Sequence, residues 1–176
     1  MPNFEQRLTG GHPNSLGNTL EVVEEVLADQ SLFDELFHCY FSKDEVVRLR
    51  TSNAIKRIAK VQLSWLLPYV DRLLTDIAAI DQASTQWTLA QLFDWLVPLL
   101  TSEQKYRAQS IMQGNLANHQ DWIVLNTTME TLSRWSQTDL SLKTWLRPHL
   151  ERLSQDGRKS VAKRASKYLA ALGEAD

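Results

Sequence analysis

A nine-residue pattern occurs twice in the chain, eighty residues apart. Residues 65–73 read WLLPYVDRL, and residues 145–153 read WLRPHLERL. Tryptophan, leucine, proline, arginine and the last leucine recur at equivalent positions, while the sixth position stays apolar and the seventh stays acidic. Eighty residues correspond to about two helix hairpins of roughly 40 residues each. The recurrence therefore predicts an all-α chain built as an α-solenoid of stacked hairpins.

Apolar residues elsewhere recur with the three- and four-residue spacing of amphipathic helices. Asn18 can cap a first helix, in which Leu20, Val23 and Leu27 fall on one face. A capping-box pattern at residues 42–45 predicts the start of a longer helix, and its partner helix is expected over residues 64–77. A second capping pattern, TSEQ at residues 101–104, predicts the start of a later helix. The next three apolar stripes comprise Leu32, Phe33, Leu36, Phe37 and Tyr40, then Val47, Ala54, Ile55 and Ile58, then Leu66, Val70, Leu73, Leu74 and Ile77.

Aspartates at the predicted helix starts relate the hairpins to one another. Shifts of 37 and 77 residues bring Asp44 onto Asp81 and Asp121, with apolar positions following in register. A last helix is predicted over residues 158–172 and ends at Gly173. The pattern therefore predicts about four helix hairpins plus a terminal helix. Because one hairpin cannot bury its apolar stripe alone, stacking of the hairpins is expected to form the core.

The distribution of glycine divides the chain into two predicted regions. Gly10, Gly11 and Gly17 crowd residues 1–17, which we expect to form a flexible N-terminal arm. Residues 18–176 are predicted to form a single repeat domain.

The segment at residues 44–50, DEVVRLR, followed by Ala54, Ile55 and Ile58, resembles the first helix of a HEAT repeat, in which a turn aspartate, paired valines and a following arginine recur. The resemblance is to short bacterial-type HEAT-repeat proteins and covers roughly residues 18–172. It implies a right-handed α-solenoid of about four HEAT-like hairpins, and most members of the family bind other proteins along a concave face. The later repeats depart from the pattern at Thr85, Trp87, Leu125 and Thr127, where the second repeat has arginines.

Residues that usually carry catalysis or bind metal form no recognisable motif in this sequence. Cys39 is the single cysteine, and its neighbour His38 would point about 100° away on a helix, so the two cannot easily hold one ion. The sequence contains no glycine-rich phosphate loop and no GxSxG nucleophile motif. We therefore expect a protein that is not an enzyme and needs no metal or cofactor.

Charge and hydropathy bear on location and partners. The net charge of −2 supplies no global basic field, so nucleic-acid binding is not expected. The N-terminal sequence lacks the apolar region of a secretory signal, and no stretch approaches the ~18 apolar residues of a membrane span. A cytoplasmic protein without a membrane partner is the expectation.

The inner helices of a solenoid would present a ladder of outward positions in register. Tyr and Arg are enriched at the hot spots of protein interfaces, so this ladder is the predicted surface for a protein or peptide partner. An ordinary solvated helix face would show the same pattern, and Tyr69 or Tyr106 can instead pack inward. The predicted partner-binding residues are Tyr69, Arg72, Asp76, Gln109, Gln113, His149 and Arg152, with Tyr106 and Asp156 at the remaining ladder positions.

Charge is distributed unevenly along the chain. Residues 1–45 carry nine acidic against two basic residues. The terminal helix is basic, which fits either a docking site for an acidic partner or nucleic acid, or the polar outer face that a terminal repeat needs. Opposite charge at the two ends also permits weak head-to-tail self-association. The basic residues of the terminal helix are Arg158, Lys159, Lys163, Arg164 and Lys167.

These features favour a non-catalytic scaffold or adaptor that binds a protein or peptide on its inner-helix, concave face. One alternative is a nucleic-acid-binding solenoid, similar in principle to the HEAT-like DNA alkylation-repair glycosylases. Another is a lyase or chaperone subunit like the phycobilin-lyase HEAT proteins, which fold analogy alone suggests.

Overall fold

The computed structural model describes residues 3–174, and within that range the chain contains helices and turns but no β-strand. The predicted all-α class is therefore confirmed. Packing of the backbone divides the chain into two compact units, Met1–Thr88 and Leu89–Asp176, and each is described by itself. The division falls inside one helix, Ala83–Leu96, and the single domain predicted over residues 18–176 stays a prediction.

The first unit is built around one long helix, α4, against which α2 and α3 pack. Its core consists of buried apolar side chains between residues 22 and 77, including those of α2, with Phe4 and Leu8 added from the N-terminal segment. Short 3₁₀ turns lie at Gln30–Leu32 and Cys39–Phe41. The α-helices are α1 (Phe4–Arg7), α2 (Thr19–Ala28), α3 (Phe33–His38), α4 (Glu45–Val61), α5 (Val70–Arg72) and the first part of α6 (Ala83–Leu96).

In the second unit, α8 packs against its neighbours α7, α9 and α10, and α9 packs against α10. The buried stripes recur every three or four residues, as Leu142, Leu146, Leu150 and Leu153 do on α9. Exposed Gly173 closes the last helix with a φ of 77°, as predicted. The helices are the last part of α6, then α7 (Ser102–Asn118), α8 (Trp122–Trp135), α9 (Leu140–Ser154) and α10 (Lys159–Leu172).

Two of the predicted helix starts can be compared with the observed caps. At Thr101 the capping box is complete, because the Thr101 Oγ1 accepts from the Gln104 N–H at 3.1 Å and the Thr101 N–H donates to Gln104 Oε1 at 3.0 Å. The predicted cap at residues 42–45 is displaced. Asp44 is the N-cap of α4 and accepts from the Val46 N–H at 2.8 Å, whereas the Ser42 hydroxyl accepts from the Asp44 N–H.

The helix predicted over residues 64–77 is irregular. It consists of a 3₁₀ segment at Leu63–Tyr69, the single turn α5 and a π-helical segment at Leu73–Ile77. Pro68 lies inside the first of these, where its missing N–H and fixed φ disfavour a regular α-helix. All five side chains predicted to point inward are nevertheless buried, namely Leu66, Val70, Leu73, Leu74 and Ile77.

Helix α2 is rotated relative to its predicted orientation. Its side chains facing α4 are Val22, Val23 and Val26, which are buried, whereas Leu20 is 45% exposed and Leu27 is half-buried. The predicted stripe of leucines and the observed stripe of valines both satisfy helical spacing. Packing against α4 buries the stripe of β-branched valines. Leu20 and Leu27 consequently line a groove beside the helix pair.

The N-terminal segment predicted to be a flexible arm is docked on the first unit. Phe4 and Leu8 are fully buried, and Arg7 forms a two-pronged ion pair with Glu25 of α2 at 2.8 and 2.5 Å. The rest of the segment surrounds Arg50, the largest fully buried side chain, which is 1% exposed. The docking therefore depends on residues far away in the sequence, which local composition does not reveal.

The Arg50 guanidinium is bonded to backbone carbonyls of this segment. Nη1 donates to Leu8, Thr9 and Gly10 at 2.9, 3.2 and 2.6 Å, Nη2 donates to His12 at 3.2 Å, and Nε donates to Ser15 at 3.2 Å, all through main-chain oxygens. Positive φ angles at three glycines turn the chain around this cation.

Candidate functional site

In the first unit, Tyr69 and Arg72 lie against an aromatic surface contributed by α3 and the turn that follows it. The Tyr69 ring centroid is 5.1 Å from that of Phe33 and 4.5 Å from that of Phe37. The guanidinium carbon of Arg72 lies 5.0 Å from the Phe37 ring centroid and 5.5 Å from that of Phe41. We call these five residues the aromatic–arginine patch.

The polar groups of the patch have partners that fix their orientation. The Tyr69 hydroxyl donates to Asp34 Oδ1 at 3.1 Å, and burial followed by this hydrogen bond raises the pKa of Tyr69. Arg72 Nε lies 4.0 Å from Asp76 Oδ2, one helical turn away. The two cation–π contacts and this loose pair hold the guanidinium over the rings, while the Arg72 side chain stays partly exposed.

The sequence ladder identified part of this patch and missed part of it. Tyr69 and Arg72 belong to the patch and Asp76 lies beside Arg72, with the Tyr69 ring packed against α3. That these residues bind a partner stays a prediction. Phe41 was not among the predicted residues, although it is 48% exposed and forms the outer edge of the patch. Its place four residues after Phe37 was the available signal, because residues at that spacing share a helix face.

In the second unit, the ladder residues of α9 form a smaller cluster. The His149 ring stacks on Trp145 with centroids 4.1 Å apart. Arg152 Nη2 donates to the Leu116 carbonyl at 3.1 Å and lies 3.4 Å from His149 Nδ1. Burial, and then the Arg152 guanidinium, lower the pKa of His149, which favours the neutral imidazole.

The remaining ladder positions differ in environment. Gln109 and Gln113 lie four residues apart on α7 and are both half-buried, whereas Tyr106 on the same helix is 70% exposed. The carboxylate of Asp156, another ladder residue, is already paired within the chain. It accepts two side-chain hydrogen bonds from Arg158, each 2.9 Å long, and these bonds lower the pKa of Asp156 to about 2.

The one cysteine is poorly placed for chemistry. Burial raises the pKa of the Cys39 thiol to about 12, and its Sγ lies 3.5 Å from the Glu35 carbonyl oxygen. The thiol is therefore protonated at neutral pH, and a thiol is a far weaker nucleophile than a thiolate. Within residues 3–174, no group of three or more His, Cys, Asp or Glu side chains is arranged to hold a metal ion.

The terminal helix α10 has one basic and one apolar face. Lys159, Lys163 and Lys167 are exposed along one stripe, while Val161 and Ala165 are buried on the other. The two arginines of the basic set have acidic neighbours, namely Asp156 for Arg158 and Glu130, at 3.9 Å, for Arg164.

In the part of the chain that the structure describes, no helix has the length and apolar character needed to cross a membrane. No family model, no curated protein and no solved structure matches the chain. The HEAT assignment therefore stays a resemblance based on residues 44–58 and the internal repeat.

Proposed function

We propose that the chain is a non-catalytic scaffold or adaptor that binds a protein or peptide through the aromatic–arginine patch. In this proposal the hairpins stack into a right-handed, HEAT-like α-solenoid, and the segment carrying Tyr69 and Arg72 belongs to its concave face. A cytoplasmic location is part of the same proposal.

The observation that supports it is the placement of Arg72 across two phenylalanine rings beside exposed Phe41. Arginine and aromatic side chains are enriched at the residues that dominate interface energies. A guanidinium already held against the rings loses less conformational entropy when a partner orders it. The patch thus combines a fixed cation with an apolar anchor.

The chemistry of the patch specifies the kind of partner segment. The planar guanidinium of Arg72 suits a carboxylate or a backbone carbonyl, and Phe41 supplies apolar area that a partner can cover. A segment with an apolar side chain next to an acidic one would satisfy both groups. In the second unit, Gln109, Gln113 and the His149–Arg152 cluster are proposed as a separate set of partner-binding residues, because they offer hydrogen-bonding groups.

Capture of partners from native lysate at moderate salt tests the proposal, with mass spectrometry and a nucleic-acid assay of the eluate. We expect one stoichiometric protein whose recovery falls at least about tenfold in Arg72→Glu, since hot-spot residues contribute about 2 kcal/mol or more. Arg152→Glu tests the second unit, and Lys159→Glu on α10 is the matched control. Unchanged capture by Arg72→Glu would place the binding site elsewhere.

The basic stripe of α10 supports a second candidate, nucleic-acid binding. Its lysines Lys159, Lys163 and Lys167 are exposed on one face. A salt-dependent mobility shift of duplex DNA that disappears in Lys163→Glu would favour this function. No shift at low salt would leave the stripe as the polar cap of the terminal helix.

A further inference from the structure

A groove of about 470 Å³ runs between α2 and α4 in the first unit and shares no residue with the aromatic–arginine patch. Leu20, Val23 and Leu27 line it from α2, and Val61 lines it from the end of α4. Leu20 is 45% exposed and Val61 is 64% exposed. Exposure of large apolar side chains in one concave site is typical of binding surfaces.

The α4 side of the groove is basic. Lys56, Arg57 and Lys60 line it, and among the described residues Glu24 is the one carboxylate that does. Burial, and then the neighbouring cations Lys60 and Arg57, lower the pKa of Lys56. A carboxylate placed in the groove would reverse this effect, because an opposite charge favours the protonated amine.

We propose that this groove binds an acidic amphipathic helical segment of a partner protein. Leucine-type side chains of the segment would cover the apolar floor formed by Leu20, Leu27 and Val61. Its Asp or Glu residues would face Lys56 and Arg57. Leu27 follows Leu20 by seven residues and Val61 follows Asn53 by eight, so the groove is about 10–12 Å long at about 1.5 Å per residue and accommodates about two helical turns.

Charge decides between this occupant and a second copy of the chain. An isologous pair requires a surface that complements itself, with acidic and basic groups in balance. The groove instead has three cations to one carboxylate, so its own chemistry is complementary to an acidic surface. Helix-in-groove recognition uses apolar anchors at spacings of three and four residues with charges at the flanks.

The test uses a fluorescein-labelled, end-capped peptide of about 12 residues, with leucines on one helical face and glutamates flanking them. A matched peptide has lysine in place of every glutamate. Fluorescence anisotropy with the full chain should give a Kd in the micromolar range, about 1–50 μM, for the acidic peptide. We expect binding of the basic peptide to be at least about tenfold weaker.

Three variants locate the site. The double variant Lys56→Glu/Arg57→Glu should weaken binding of the acidic peptide at least about tenfold. Leu20→Gln, at an exposed position, should weaken it about threefold or more by removing apolar contact. The double variant Lys159→Glu/Lys163→Glu changes net charge equally on α10 and should leave Kd within about twofold. Circular dichroism checks that each variant keeps its helices.

Several results would overturn the assignment. One is the absence of binding at about 200 μM protein, beyond the affinity range expected for such a site. Another is an equal loss in the α10 control variant, which would reduce the effect to net charge. A third is sedimentation showing a dimer that Lys56→Glu/Arg57→Glu dissociates, which would make the groove an interface between copies. Arg72 lies outside the groove, so the outcome of partner capture in Arg72→Glu does not bear on the groove. The peptide Kd, the effect of the α10 control variant and the sedimentation result test the groove independently of the aromatic–arginine patch.

Discussion

Replacement of Arg50 by methionine should release the N-terminal segment from the first unit. The substitution keeps an apolar stem and removes a guanidinium that donates to five main-chain carbonyls. About four N–H groups are engaged, because Nη1 shares two hydrogens among three acceptors. At about 1.5–3 kcal/mol for each hydrogen bond of a charged donor, the interactions total roughly 6–12 kcal/mol.

The desolvation of the buried cation opposes this total by several kcal/mol, and methionine recovers some packing. We therefore expect the free energy of unfolding to fall by about 3 kcal/mol, near the lower end of the cost of breaking a buried charged network. Phe4 and Leu8 should become accessible when the loop between them and α2 loosens. Urea denaturation measures the first effect, and hydrogen exchange of the amides in residues 3–17 measures the second.

Arg57→Met is the matched control, because Arg57 lies on the same helix, is exposed and has a single hydrogen bond, to Asn53 Oδ1. Its free energy of unfolding should change by less than about 0.5 kcal/mol. If exchange in residues 3–17 were unchanged in Arg50→Met, the buried cation would not be what holds the segment.

Two further predictions concern stability. Gly17→Ala should lower the free energy of unfolding more than Gly10→Ala does in urea denaturation. Both glycines have positive φ, but of the two only Gly17 would place a Cβ 3.0 Å from the Arg50 guanidinium. Equal decreases in the two variants would argue against that contact. The Asp156–Arg158 pair lowers the pKa of Asp156 to about 2, so its contribution is present above the usual aspartate pKa of 3.8 and is lost as pH falls through about 2. Carboxyl NMR titration should show this low midpoint in the wild type, and a midpoint near 3.8 would contradict it.

The features of the fold that could be predicted are those encoded by neighbouring residues within one segment of the sequence. The capping box at Thr101 and the buried side chains of residues 64–77 were evident from spacing, because a helix repeats its face every three or four residues. The irregular backbone of residues 64–77 was not evident from spacing, since Pro68 interrupts the helical hydrogen bonds without altering the apolar pattern. The orientation of α2 was ambiguous because Leu20 and Leu27 compete with Val22 and Val26 for the same spacing.

Interactions between residues distant in the sequence explain the remaining differences between the predicted and the observed structure. The glycines near the N-terminus predict flexibility when considered alone, yet Arg50, more than thirty residues later, donates hydrogen bonds to main-chain carbonyls of the same segment, including those of Gly10 and Ser15. The same limit applies to the candidate site. Tyr69 and Arg72 followed from the internal repeat, whereas Phe41 becomes part of the patch only through tertiary packing, which a linear pattern does not specify.

Site-specific photo-cross-linking tests directly whether the aromatic–arginine patch binds a protein. A benzophenone amino acid would replace exposed Phe41, and in a separate control chain it would replace Trp122, which is 50% exposed at the start of α8. After irradiation in native lysate, the position-41 chain should cross-link to a single protein, and adding Arg72→Glu should abolish that product. Cross-linking from position 122 alone, or a product unchanged by Arg72→Glu, would contradict the proposal.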